Sequence, residues 1–430
     1  MTRLCMLAAV VAAVFAPASV SAAPQPETLQ SLQVTPAEVT LIGSRAVQQL
    51  VVTADADQLS IRDLTRQVEY VSDHPEVAVV RDGVVYPAGD GTATITASRG
   101  EVTTSLKVTV RDFMAASPVP FHTEVLAALT KSGCNMGACH GSPSGKGGFR
   151  LSLRGYDPPL DLVTLRGEFY GRRANVMQPD ESLLLRKPLM EVAHGGGRRL
   201  DAGDASHMVL RQWIAEGMQT EPEGTPTLER IELLPHPRVL RDGADEQQLV
   251  VNGYFSDGSI RDVTALTAFD SSDEAIATIS RTGVVEREGR GEATILARYL
   301  DRMSTTQITF LTERPDFRWS EPPVANEIDQ LVFRKLQQLQ IEPSELCSDT
   351  DFLRRASLDL AGRLPTLEET QAFLADQSPQ KRAALVDRLL SHDDFARFWS
   401  LKWADLLRCN SRKMSPVGVH KFRRWLFENV

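Results

Sequence analysis

The sequence predicts a multidomain chain: two all-β sandwiches flank a small, mainly α domain, and an all-α region follows at the C-terminus. Three observations carry that prediction. Short alternating apolar runs dominate residues 27–112 and 228–313, those two stretches repeat one another, and residues 118–222 and 324–430 switch to helical periodicity. A chain of 430 residues is also too long for one hydrophobic core.

Residues 1–23 read as a signal peptide. Arg3 supplies a positive n-region, Leu4 to Phe15 an apolar stretch too short to span a bilayer, and Val20-Ser-Ala-Ala23 the small residues of a cleavage site. The expected location is therefore exported, in the periplasm or associated with the cell envelope, and no transmembrane segment is expected. Composition is that of an ordinary globular protein, 42% hydrophobic and 24% charged. A net charge of −9 leaves no basic surface for phosphates, which argues against nucleic-acid binding.

In the first β region, Gln48-Gln-Leu-Val-Val-Thr, Val77-Ala-Val-Val and Gly91-Thr-Ala-Thr-Ile-Thr alternate with turn signals such as Asp82-Gly83. Leu50-Val-Val and Ser60-Ile-Arg-Asp-Leu-Thr65 return as Leu249-Val-Val and Ser259-Ile-Arg-Asp-Val-Thr264, at an offset of 199 residues. Gly83-Val-Val and Gly91-Thr-Ala-Thr-Ile return one residue further on, at Gly283 and Gly291. A long repeat with a single slip implies two copies of one domain. Asp257-Gly-Ser could suggest calcium, but Asp-Gly in a strand-rich stretch reads better as a hairpin turn.

Between the copies, Pro120-Phe-His-Thr-Glu-Val-Leu-Ala-Ala-Leu-Thr130 predicts a short amphipathic helix, with Thr123 as a candidate N-cap, running into Cys134. Ser206 to Glu216 predicts a second helix, stopped by Gly217. The segment delivers Cys134-Asn-Met-Gly-Ala-Cys139-His140. Two thiols followed at once by an imidazole is the order that attaches a c-type haem, although the spacing here is C-x4-C-H where C-x2-C-H is usual. Small residues at Gly137 and Ala138 let the longer loop bulge. Three other readings stay open: a Cys134–Cys139 disulfide, which would contribute about 2 kcal/mol by chain entropy; zinc held with His140, His194 or His207, without the usual ligand spacing; and a fold that keeps no cofactor.

After Pro315 the pattern is helical. Ile328, Leu331, Val332, Leu336 and Leu339 hold a 3-4 spacing, Phe352, Leu353, Ala356 and Leu360 form another face, and Thr366-Leu-Glu-Glu369 is a capping box. Ser391-His-Asp-Asp394 opens a further helix, where Trp399 and Trp403, one turn apart, read as core. Cys347 and Cys409 read as a disulfide or as two core thiols. The sequence stops at Val430 inside an amphipathic segment, which points to a piece of a longer protein.

Several motifs carry a resemblance. The repeats, clearest in Asp257 to Ile279 and Gly291-Glu-Ala-Thr-Ile, resemble bacterial Ig-like group 2 domains, so the sandwiches are expected to be Ig-like. Cys134 to His140, Gly147-Gly-Phe-Arg-Leu, Pro179-Asp-Glu-Ser-Leu-Leu, His194-Gly-Gly-Gly and Gln212-Trp-Ile-Ala-Glu-Gly217 look like the cytochrome c-like domain of planctomycete secreted proteins. The tail, with Asp351-Phe-Leu-Arg-Arg-Ala-Ser-Leu-Asp-Leu-Ala-Gly-Arg-Leu-Pro365, is similar to the domain of unknown function that follows it in that family.

This resemblance implies haem c with thioethers at Cys134 and Cys139 and His140 as proximal iron ligand. His194 stands where the family has Met-Pro-Pro, which makes it the candidate distal ligand. The implied function is electron transfer or redox sensing, with an unidentified redox partner or cell-envelope protein. The alternative is a structural or adhesive envelope protein with a haem-free, disulfide-linked middle domain. No G-x-S-x-G, Walker A or H-E-x-x-H signature supports an enzyme within the chain; an enzyme whose catalytic part lies beyond Val430 is the remaining reading.

Overall fold

The computed structural model describes residues 29–55, 61–221 and 223–430. The expected signal peptide lies outside them. The chain divides into two compact units, Met1–Phe317 and Arg318–Val430.

The repeat seen in the sequence is a repeat of topology. Among the described residues, strands Ser31–Thr35, Val51–Asp55 and Ile61–Asp63 form one sheet. Glu38–Ile42, Val102–Arg111, Gly91–Arg99 and Glu69–Ser72 form a second, and Gln48–Gln49, Val84–Pro87 and Ala78–Arg81 a third. The region from Leu228 to Phe310 reproduces the same three sheets in the same strand order. In both copies an early strand pairs parallel with the last one, Glu38–Ile42 with Lys107–Arg111 and Arg238–Leu240 with Ile308–Phe310.

Alternation sets the inside. Ala93, Ile95 and Ala97 face one core and Ala293, Ile295 and Ala297 the other, with their even-numbered neighbours turned outward. Each fully buried Leu or Ile contributes about 1.5–3 kcal/mol relative to an exposed one. Gly91 and Gly291 both sit at φ +146, and a Cβ there would press within 2.9 Å of Val77 and 2.7 Å of Ile276.

The Ile-Arg-Asp-x-Thr motif proves to be a corner. Asp63 Oδ1 accepts the N–H of Thr65 at 2.7 Å, and the Thr65 hydroxyl accepts the N–H of Val52 at 2.9 Å. Asp262, Thr264 and Val251 repeat both bonds at 2.7 and 2.8 Å. The motif recurs because each residue type satisfies a backbone group that the turn would otherwise strand.

The inserted region holds less helix than its periodicity predicts. After a π-turn at Phe121–Val125 come helices Leu126–Lys131, Pro158–Arg166, Leu183–Arg186 and Ala205–Ala215. Most of the rest is turns. Thr123 is not an N-cap: it is buried, and its carbonyl accepts the Tyr299 hydroxyl of the second sandwich at 2.7 Å. The closing helix is capped by Asp204, which accepts the N–H of His207 at 2.7 Å. Trp213 fills the core, ring-stacked on Phe121 at 5.3 Å. Leu266 and Leu300 pack against both this core and that of the second sandwich, whereas the first sandwich's core draws only on residues 29–113.

The C-terminal unit contains helices Glu327–Gln338, Asp349–Ala356, Leu367–Ala375, Lys381–Leu390, Asp393–Leu406 and Pro416–Asn429. The capping box at Thr366 and Glu369 forms. Leu353, Phe373, Leu385 and Leu389 make the core, with Phe352, Ala356 and Leu360 against it. Trp403 is 47% exposed, so it is not the core residue its spacing predicts. Cys347 and Cys409 are free thiols, not a disulfide.

Candidate functional site

The Cys134–His140 segment leaves the helix Leu126–Lys131 through Gly133 at φ +73. Successive turns then fold it back on itself. Cys139 N–H donates to Met136 O at 2.9 Å and His140 N–H to Cys134 O at 3.0 Å. Gly137 and Ala138, the small residues of the longer loop, are exposed. Gly141 packs so tightly on the carbonyl of Asn135 that any Cβ would overlap it, and Gly145 does the same on Phe149. Asn135 is fully buried; its Nδ2 donates to Thr130 Oγ1 at 2.9 Å, and its Oδ1 has no partner.

The rings of His140 and His194 face one another. Their ring centroids are 6.3 Å apart and their planes 18° from parallel. Nδ1 of His140 lies 3.0 Å from the Phe149 carbonyl and Nδ1 of His194 2.8 Å from the Gly197 carbonyl. A carbonyl only accepts, so each Nδ1 carries a proton, and in the neutral form of either ring Nε2 keeps its lone pair. That is the tautomer of a metal-ligating histidine whose far nitrogen is fixed by the backbone. Burial pushes the His140 pKa down, which holds the ring neutral. A Cβ at Gly196 would sit 2.9 Å from the His194 ring, so the Gly-Gly-Gly run lets that imidazole fold onto its own backbone.

The cysteines separate the readings. Cys134 and Cys139 are free thiols, so the disulfide left open as an alternative is not formed. Cys134 packs against the inserted region's core, and burial raises its pKa to about 12, with Cys139 adding to the rise. A thiol so held disfavours the thiolate that zinc requires. Among the described residues no group of three or more His, Cys, Asp or Glu side chains is placed to hold a metal ion. A c-type haem would call on neutral thioether sulfurs and at least one axial imidazole, and the donor types present fit those roles. His207 lies away from this arrangement in role: its Nδ1 accepts the Gly203 N–H at 3.1 Å.

Arg173 is 8% exposed and structural. It stacks on Phe149 at 4.5 Å and Phe169 at 5.2 Å and donates to Thr164 O and Gly148 O. Asp257 is a turn residue, accepting from Ser259 N–H at 2.9 Å and paired with Arg261 at 2.9 Å, in keeping with the hairpin reading.

A second constellation escaped the sequence reading. Asp63 Oδ2 reaches across to the other repeat and accepts the backbone N–H of Gln248 at 2.6 Å and Nε2 of Gln247 at 2.8 Å. Reciprocally, Asp262 Oδ2 accepts the backbone N–H of Gln49. Gln49 and Gln248 are equivalent in the repeat, as are Asp63 and Asp262, so the sandwiches clasp one another about a pseudo-twofold relationship. Burial raises the pKa of both aspartates, against the opposing pull of the N–H donors. Nearby, Arg62 donates to Asp242 O at 3.4 Å and lines a polar cleft of about 440 Å³ with Arg99 and Arg287. The signal for the clasp was present as Gln-Gln and Asp at equal offsets, but their pairing was not.

The inserted region is also anchored. Lys131 Nζ donates to Ala265 O at 2.8 Å and Arg281 O at 2.6 Å of the second sandwich, and burial lowers its pKa to about 8.

Comparison with known proteins places two segments. Residues 66–112 match the bacterial Ig-like domain family, and residues 327–430 match PSCyt2, a protein of unknown function (DUF1549). No curated protein matches the chain. Among solved structures, domains 5–6 of the S-layer protein SbsC align with 67% of this chain and 99% of their own, at 12% identity and TM-score 0.28. The Yersinia pseudotuberculosis adhesin InvE aligns with 65% of this chain and 58% of its own, at 10% identity and TM-score 0.16. The chain is thus a multidomain protein with bacterial Ig-like β-structure and an α-helical C-terminal domain of the DUF1549 kind. Among the described residues no helix is long and apolar enough to cross a membrane.

Proposed function

We propose that the protein serves a structural role in the cell envelope or outside the cell, as a rigid two-sandwich module bracing an inserted helical region. The observation that carries this reading is the reciprocal clasp, Asp63 to Gln248 and Asp262 to Gln49, which joins the repeats through buried hydrogen bonds. Tyr299 and Lys131 fasten the insertion to the second repeat in the same manner. Such bonding favours one fixed arrangement over a string of hinged beads. Cell fractionation with an antibody to the second sandwich tests it: recovery in the envelope or medium is expected, and recovery in the cytoplasm would overturn the reading.

A second reading is favoured by one observation, the facing imidazoles of His140 and His194, each with its Nδ1 held by a backbone carbonyl. Haem c attached at Cys134 and Cys139, with those two rings as axial ligands, would supply one-electron redox chemistry. Expression with a c-type maturation system decides it. A haem stain that survives denaturation and is lost in Cys139→Ser supports the reading; unstained protein from competent cells sinks it.

A further inference from the structure

The clasp has a property that ordinary interdomain contacts lack: both halves present the same chemistry. Each repeat offers an aspartate whose first oxygen caps its own corner and whose second projects outward, and each offers a Gln-Gln edge whose backbone N–H awaits such an oxygen. An interface in which residue i meets j and j meets i is isologous, and an isologous surface fits a second copy as well as it fits its own chain.

Three further facts make exchange feasible. The first sandwich's core is self-contained, so undocking it opens no shared apolar core. Its named attachments to the second sandwich are hydrogen bonds, with Arg66 Nη2 to Gln248 Oε1 at 3.5 Å and Arg62 Nη2 to Asp242 O at 3.4 Å flanking the clasp. A short connector, residues 112–118, joins it to the insertion, and Met114, Ala115 and Ala116 are exposed. Arg45, paired with Glu124 at 2.5 Å, is the ion pair that steadies this connection.

We propose that the clasp is exchangeable between chains: the first sandwich of one copy docks on the second sandwich of another through Asp63–Gln248 and Asp262–Gln49, closing a two-chain assembly. The inference goes beyond the envelope role and stands or falls separately from it. No new surface is required, because the clasp bonds of the closed monomer are remade in trans.

The test uses the full mature chain. Equal amounts of ¹⁵N-labelled and unlabelled protein are held at high concentration in sub-denaturing urea, returned to buffer, and examined by sedimentation velocity and native mass spectrometry. Dimers of mixed label are expected. In Asp63→Ala/Asp262→Ala, which lacks the clasp both within and between chains, undocked monomer should replace the docked forms and the dimer yield should fall about tenfold or more. A second variant guards against a folding failure. Deleting Ala115 and Ala116 shortens the connector, which disfavours closure within one chain, and the variant should dimerise without urea. Wild type that never forms mixed dimers, a shortened variant that stays monomeric, or dimers undiminished in the double alanine variant would each overturn the proposal.

Discussion

Asp63 and Asp262 occupy the same position in two repeats, and each gives its outer carboxylate oxygen to the backbone of the other repeat. Their inner oxygens hold their own corners at 2.7 Å in both copies. Replacing either by alanine removes a corner cap and a cross-repeat acceptor at once. Asp63→Ala, the more buried case, should cost about 1–3 kcal/mol, the penalty for stranding buried donors. Chemical denaturation gives the value. The double variant should show a coupling energy, since both residues support one interface; strict additivity would mean that the two bonds act independently.

The same carboxylates set a pH dependence. Asp63 faces the N–H groups of Thr65 and Gln248, the amide of Gln247, and the charges of Glu246 and Arg238; Asp262 faces Gln49, Thr264 and Lys131. Burial raises both pKa values in the docked state, so that state binds more protons than the undocked one. Docking is therefore strongest below the ordinary carboxylate pKa of about 3.9 and weakens as pH rises through the raised values. Hydrogen exchange at the Gln49 and Gln248 amides should quicken over that rise relative to core amides such as Ile95. Exchange that slows instead would show that the N–H donors outweigh burial.

At the imidazole pair the sign is opposite. His140 is kept neutral by burial, so its folded pKa lies below the ordinary value of about 6.5. The contribution of that neutral ring is complete above the unfolded pKa and is lost as pH falls through the lowered one. Nitrogen-15 imidazole spectra should show the Nδ1–H tautomer at both His140 and His194 near neutrality, with His140 titrating below 6.5. An Nε2–H tautomer at either ring would remove the basis for ligation there.

Much of this architecture was legible in the sequence, and the parts that were not share a cause. The repeat announced itself because its residues recur at a fixed offset, and the Thr366 capping box because cap and partner are three residues apart. The clasp did not, because Asp63 and Gln248 are 185 positions apart and nothing local marks the partner. The helix Lys381–Leu390 lacks a side-chain cap at Gln380 and so carried no start signal. Residues 134–157 have no periodicity to read. Their path is set by close backbone approaches at Gly141 and Gly145, which appear only once the chain is folded.

The C-terminal unit turns on Arg363. Its guanidinium bonds Glu369 at 2.8 and 2.9 Å and Asp394 at 2.7 Å, tying the start of helix Leu367–Ala375 to that of helix Asp393–Leu406. Arg363 holds the Glu369 pKa down to about 2. A depressed carboxylate stabilises the fold fully above its ordinary pKa of 4.5 and loses that contribution as pH falls toward 2. Arg363→Ala should lower the melting temperature of this unit at pH 7 while leaving the acid-side midpoint nearly unchanged, because the pair is already neutralised there. Arg363→Lys keeps the charge but not the fork that meets two carboxylates, and should restore less than half of the loss. Full rescue by lysine would show that charge alone, without bidentate geometry, joins the two helix starts.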